Sequence, residues 1–157
     1  MKCLLFALGL FLTLALPASQ AHAIVGITIK LGGTFIPNGS VPGGIVQAHI
    51  GPISPFAELY KKAGITTTNI GVNFIILKLP FPVLSPYVGG GGGISRSSGG
   101  GVSKSRTLID GIGGIEVKLS PSMRFFGQIK YLYTLGSGVY VTRDVALQGG
   151  LVFHLGI

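Results

Sequence analysis

Cysteine is nearly absent. The single one, Cys3, lies in an apolar stretch at the N-terminus, so residues 24–157 carry no thiol. That excludes a disulfide framework, a thiolate zinc site and a cysteine nucleophile from this part of the chain. Acids are almost as scarce, 4 Asp and Glu against 12 Lys and Arg. Charged residues make up 10% of the chain, against about 25% in an average soluble domain. Also missing, beyond the N-terminus, is a run that works as a membrane helix. The longest uncharged stretch there, 31–57, is interrupted by Pro37, Pro42, Pro52 and Pro55. Residues 63–77 are too short to span and hold Thr66-Thr67-Thr68-Asn69.

What is present starts with an export signal. Lys2 precedes the apolar run Leu4–Leu16, Pro17 breaks it, and Ala21-His22-Ala23 gives an A-x-A cleavage pattern. Ser19-Gln20-Ala21 is an alternative cut, and Cys3 stands too early for a lipoprotein cysteine. The expectation is a cleaved signal peptide at 1–23 and one mature domain at 24–157. An exported chain with high mean hydropathy and no spanning helix has one other way to live in lipid, a closed β-barrel.

A barrel needs segments of about 9–11 residues that alternate apolar and polar. Eight occur, at 24–35, 43–51, 55–63, 67–79, 86–96, 106–119, 123–134 and 142–156. In 106–119, Asp110, Gly114, Glu116 and Lys118 share one face, and Ile109, Ile115, Val117 and Leu119 the other. In 123–134, Arg124, Gln128 and Lys130 alternate with Phe125, Ile129, Tyr131 and Tyr133. In 142–156, Asp144, Gln148 and His154 alternate with Val145, Leu147, Leu151, Phe153 and Leu155. The apolar set must face lipid, because a Lys or Arg there costs about 2–4 kcal/mol at mid-bilayer. The fold expected is all-β, an eight-stranded antiparallel up-and-down transmembrane barrel.

The connections alternate as well. Those at 50–54, 80–85 and 120–122 bear proline and read as periplasmic turns, leaving 36–42, 64–66, 97–105 and 135–141 at the extracellular end. "SSGGGVSKS" at 97–105 reads as the most flexible of these. The five glycines Gly89–Gly93 fall where the fifth strand must be, facing Gly111, Gly113 and Gly114 of the sixth. Glycine in a strand marks a bend or a close backbone approach, so this run reads as strand. A linker has no second domain to join, and a phosphate loop lacks a Lys-Ser or Lys-Thr at the required spacing.

"QGGLVFHL" near the C-terminus resembles the assembly signal of outer-membrane barrels, with Gln148, Gly150, Phe153 and Leu155 in its polar, glycine, aromatic and apolar places. The chain departs from it in ending on Gly156-Ile157 rather than an aromatic. Together with "SPYVGGGGG" and "GGIEVKLSPSMRFFGQIKYLY", the mature chain resembles the small eight-stranded outer-membrane β-barrels: OmpA-like, OmpX-like and opacity-type proteins. That resemblance implies residence in a Gram-negative outer membrane and handling by the barrel assembly machinery, but no particular activity.

All four acids fall on inward positions, giving an expected interior network of Lys30, Glu58, Asp110, Glu116, Lys118, Arg124, Lys130 and Asp144. Eight strands leave an interior just wide enough for side chains, so a packed polar filling is expected rather than a porin-like channel. His49 and His154 face inward near the periplasmic end and, without a carboxylate triad, read as interior residues rather than a metal or acid–base site. Lys61, Lys62, Arg96, Lys104, Arg106 and Arg143 cluster at the extracellular rim, at the height of lipopolysaccharide phosphates. The expected role is therefore structural or surface-interacting, without catalysis or cofactor, with membrane lipid and lipopolysaccharide as partners and no nucleic acid. Two alternatives stand beside it. A lipid A-modifying enzyme would need a histidine at the rim. A secreted lipocalin-like carrier would need the opposite faces, although Phe74–Leu79, apolar on both sides, leaves room for a partly apolar cavity.

Overall fold

The computed structural model describes residues 26–136 and 141–155. The leader expected at 1–23 and the final Gly156-Ile157 lie outside them. Eight strands follow in order: β1 (Ile27–Ile36), β2 (Val41–Ile50), β3 (Ile53–Lys62), β4 (Ile65–Lys78), β5 (Leu84–Gly99), β6 (Val102–Lys118), β7 (Met123–Leu135) and β8 (Val141–Leu155). Each pairs antiparallel with the next, and β8 returns to β1, Ile27 opposite Leu155, so the sheet closes. Closure pairs the backbone polar groups of every strand and leaves no edge, the condition for strands in a bilayer.

Period-two patterning decides the faces. Leu31, Val46, Ile70, Phe74, Ile109, Ile115, Phe125, Ile129, Tyr131, Leu147 and Leu155 are all exposed on the outside. Their inward neighbours Lys30, Gln47, Glu58, Asn69, Asn73, Asp110, Glu116, Gln128, Lys130 and Gln148 are buried.

The hairpin joining β5 to β6 is tighter than the composition of 97–105 implies. Strand pairing runs to Gly99 opposite Val102. Only Gly100 and Gly101 turn, at φ of +57° and +79°. Two successive left-handed residues make a two-residue turn whose twist matches the flanking strands. Glycine supplies both without steric cost, so a stretch that reads as flexible is instead mostly strand. The β3–β4 turn is likewise reduced to Ala63 and Gly64.

Gly89–Gly93 lie within β5, paired with β4 on one side and β6 on the other, Gly90 opposite Gly111. A Cβ on Gly91 would strike the Val72 carbonyl and lie 2.7 Å from Asn73 Cα. The run lets adjacent strands pass closer than side chains allow, as curvature into a narrow barrel requires.

The interior is mixed rather than uniformly polar. Phe56, Leu108, Leu132 and Ala146 form one buried apolar cluster, and Ile45, Phe126 and Val152 another. These residues also sit at inward positions. Phe125 and Phe126 are consecutive, so one must face lipid and the other the interior.

Candidate functional site

Two ionic centres occupy the barrel. In the first, Glu58 is 1% exposed and accepts from four donors. Lys130 Nζ lies 2.7 Å from its Oε1 and Gln148 Nε2 2.9 Å. Tyr60 OH donates to Oε2 at 3.0 Å and Asn69 Nδ2 at 3.1 Å. Lys130 also reaches Asp110 Oδ2 at 3.1 Å and lies 3.3 Å from the Phe56 ring centre. The second centre, toward the end carrying turn 119–122, is built on Glu116. Lys30 lies 3.0 Å from it, Lys78 2.8 Å and Arg124 3.5 Å. A neutral chain runs between the centres. Tyr87 OH donates to Gln128 Oε1 at 2.5 Å, Gln128 Nε2 donates to Gln148 Oε1, and Gln148 Nε2 donates to Thr34 Oγ1 at 3.2 Å.

Six of the eight charges expected inside enter these centres: Lys30, Glu58, Asp110, Glu116, Arg124 and Lys130. Two do not. Lys118 is exposed at the last position of β6, past the depth at which the barrel encloses side chains. Asp144 lies at the opposite mouth, where Asn38 Nδ2 donates to its Oδ1 at 3.4 Å. Simple alternation missed Lys78. Asn69 and Asn73 set odd positions of β4 inward, which would turn Lys78 out. A bulge between Ile75 and Leu77 leaves both Ile76, 79% exposed, and Leu77 outward, and so turns Lys78 toward Glu116.

The described residues of that opposite mouth, which bears turns 37–40, 63–64 and 100–101, do not fill it. A cavity of about 400 Å³ opens there between Tyr60, Leu108 and Leu132 below and Lys62, Arg106 and Asp144 above. The inward residues at this level include the small Thr67, Ser95, Ser97 and Thr134, which cannot fill the lumen as Phe56 and Phe126 do deeper down.

The six rim bases divide. Lys61, Arg96 and Arg143 are exposed at outward positions near this mouth, with Arg96 Nε donating to Ser103 Oγ at 2.9 Å and Arg143 over the Tyr133 ring. Lys62 and Arg106 line the cavity, and Lys104 is exposed beside the 100–101 turn. In β8, Gln148 is pinned inside by Glu58 and Thr34, while Phe153 and Leu155 face outward. Gly150 packs so closely on β1 that a Cβ would strike the Leu31 carbonyl. His154 and His49 lie at the Glu116 end, with Thr28 Oγ1 3.0 Å from His154 Nδ1.

No protein-family model and no curated protein matches the sequence. Solved structures do match. The N-terminal β-barrel domain of Pseudomonas aeruginosa OprF is similar at 12% identity and a TM-score of 0.59, over 83% of this chain and 98% of that one. Neisserial surface protein A is similar at 15% identity and a TM-score of 0.52, over 84% and 95%. A de novo designed transmembrane β-barrel is similar at 12% identity and a TM-score of 0.50, over 85% and 98%. With its closed sheet and apolar exterior, the chain has the fold of the small eight-stranded transmembrane β-barrels found in bacterial outer membranes.

Proposed function

We propose that this chain is an integral barrel of a bacterial outer membrane, non-catalytic, whose outward basic residues hold the phosphates of lipopolysaccharide. The observation that carries this reading is the division of charge. All four acids, Glu58, Asp110, Glu116 and Asp144, lie inside the barrel or in its mouth, so the outer surface carries no acidic side chain. Lys61, Arg96 and Arg143 stand outward at one end of the apolar band. Ordinary solubilising charge mixes both signs, whereas a single sign at membrane-surface height suits anionic headgroups. The exposed apolar belt argues against a water-soluble carrier. Before folding, Gln148, Gly150, Phe153 and Leu155 offer the pattern that the assembly machinery reads.

The test is the triple variant Lys61→Gln/Arg96→Gln/Arg143→Gln in vesicles with and without lipopolysaccharide. Each basic residue contributes about 1 kcal/mol at an anionic surface. Together they should weaken association about 100-fold at low salt. Undiminished association would overturn the reading.

A further inference from the structure

The Glu116 centre is unbalanced. Lys30, Lys78 and Arg124 share this one carboxylate. Lys118, opposite Arg124 in the strand register, adds a fourth cation at the same end. The other acids are engaged elsewhere, Glu58 and Asp110 with Lys130, and Asp144 at the far mouth. Lys30 is fully buried, yet two aromatic rings favour its charged form, Tyr87 at 4.0 Å and Phe126 at 5.2 Å from Nζ. Excess charge of one sign in a low-dielectric interior is costly unless a counter-charge enters.

The hydrogen-bond inventory points the same way. Lys30 Nζ is ion-paired with Glu116 but not along a hydrogen-bond direction, and Arg124 Nε has no acceptor. His49 Nε2 and His154 Nε2 are buried without partners. When the Thr28 hydroxyl donates to His154 Nδ1, Nε2 carries the proton and becomes another unmet donor. Water can satisfy such donors but cannot cancel their charge. Lys78 and Arg124 are 39% and 26% exposed, so the centre opens to solvent at this end.

We propose that the barrel end carrying turns 51–52, 79–83 and 119–122 binds a phosphate-class oxyanion between Lys78 and Arg124, with Lys30, His49 and His154 behind it. A guanidinium fork matches a tetrahedral oxyanion in two bonds, and lysine adds a point charge. The site lies opposite the basic rim and does not depend on its role.

The experiment is calorimetric titration of inorganic phosphate into the full folded chain in neutral detergent, with ionic strength held constant by chloride. Saturable binding is expected. Lys78→Gln and Arg124→Gln should each weaken it about tenfold or more. Glu116→Gln, which removes the competing carboxylate, should tighten it. Both Lys78 and Arg124 are partly exposed, and retained cold-SDS mobility shows that their variants fold. Absence of a saturable signal, or binding indifferent to both substitutions, would overturn the proposal. Competition by phosphatidylglycerol added to the micelles would assign the natural source to a lipid headgroup. Lack of competition would assign it to a soluble phosphate.

Discussion

Glu58→Gln is the sharpest test of how the barrel interior is held. The side chain keeps its shape, but four donors now converge on a group with one acceptor and an NH₂ of its own. Tyr60, Asn69, Gln148 and Lys130 all point at the present carboxylate within 3.1 Å. Lys130 keeps Asp110 at 3.1 Å, so its charge is not wholly stranded. Breaking one side of a buried pair costs about 3–5 kcal/mol, and the remaining Asp110 places the expected loss near the lower figure. The triple variant Glu58→Gln/Asp110→Asn/Lys130→Met removes every charge of this centre together. Replacing a whole buried ionic group is commonly near neutral, so the triple should be more stable than the single. The assay is urea unfolding in lipid vesicles, followed by far-ultraviolet circular dichroism and by mobility of unboiled samples. A single variant within about 1 kcal/mol of the parent, or a triple no better than the single, would refute the reasoning.

Phe125→Lys and Ile115→Lys put a cation on the lipid-facing side at a cost of about 2–4 kcal/mol each. They should cut the fraction reaching the heat-modifiable folded form in vesicles, while Phe125→Leu should fold normally. Gly91→Val forces a side chain onto the Val72 carbonyl and should lower the folding yield, whereas Gly111→Val, with nothing within 4 Å of its Cβ, should not. Gly101→Val must adopt φ near +79°, a strain of about 1–2 kcal/mol that should appear as an earlier unfolding midpoint.

How much of this was legible beforehand follows from the range of each signal. Alternation is local, so Asp110, Glu116, Gln128 and Lys130 could be placed inside, and Ile109, Ile115 and Phe125 outside, from their own strands. The glycine run could be read as strand because no other element was left to be the fifth. Gly100-Gly101 was harder, since a turn of two left-handed glycines and a flexible loop have the same composition. Lys78 was lost to the bulge at Ile76, which no local pattern announces.

The sequence by itself determined the closed barrel, its lipid-facing side, the inward acids and the basic end, because period-two patterning and the absence of acids elsewhere are properties of single strands. Only the tertiary structure decided which inward groups meet. Strand register and closure set Lys130 between Glu58 and Asp110 and gathered Lys30, Lys78 and Arg124 on Glu116. They also left a cavity among the described residues of one mouth, where the inward side chains are small. Those encounters join residues up to 126 positions apart, as between Thr28 and His154, and depend on the stagger of the whole barrel rather than on any one segment.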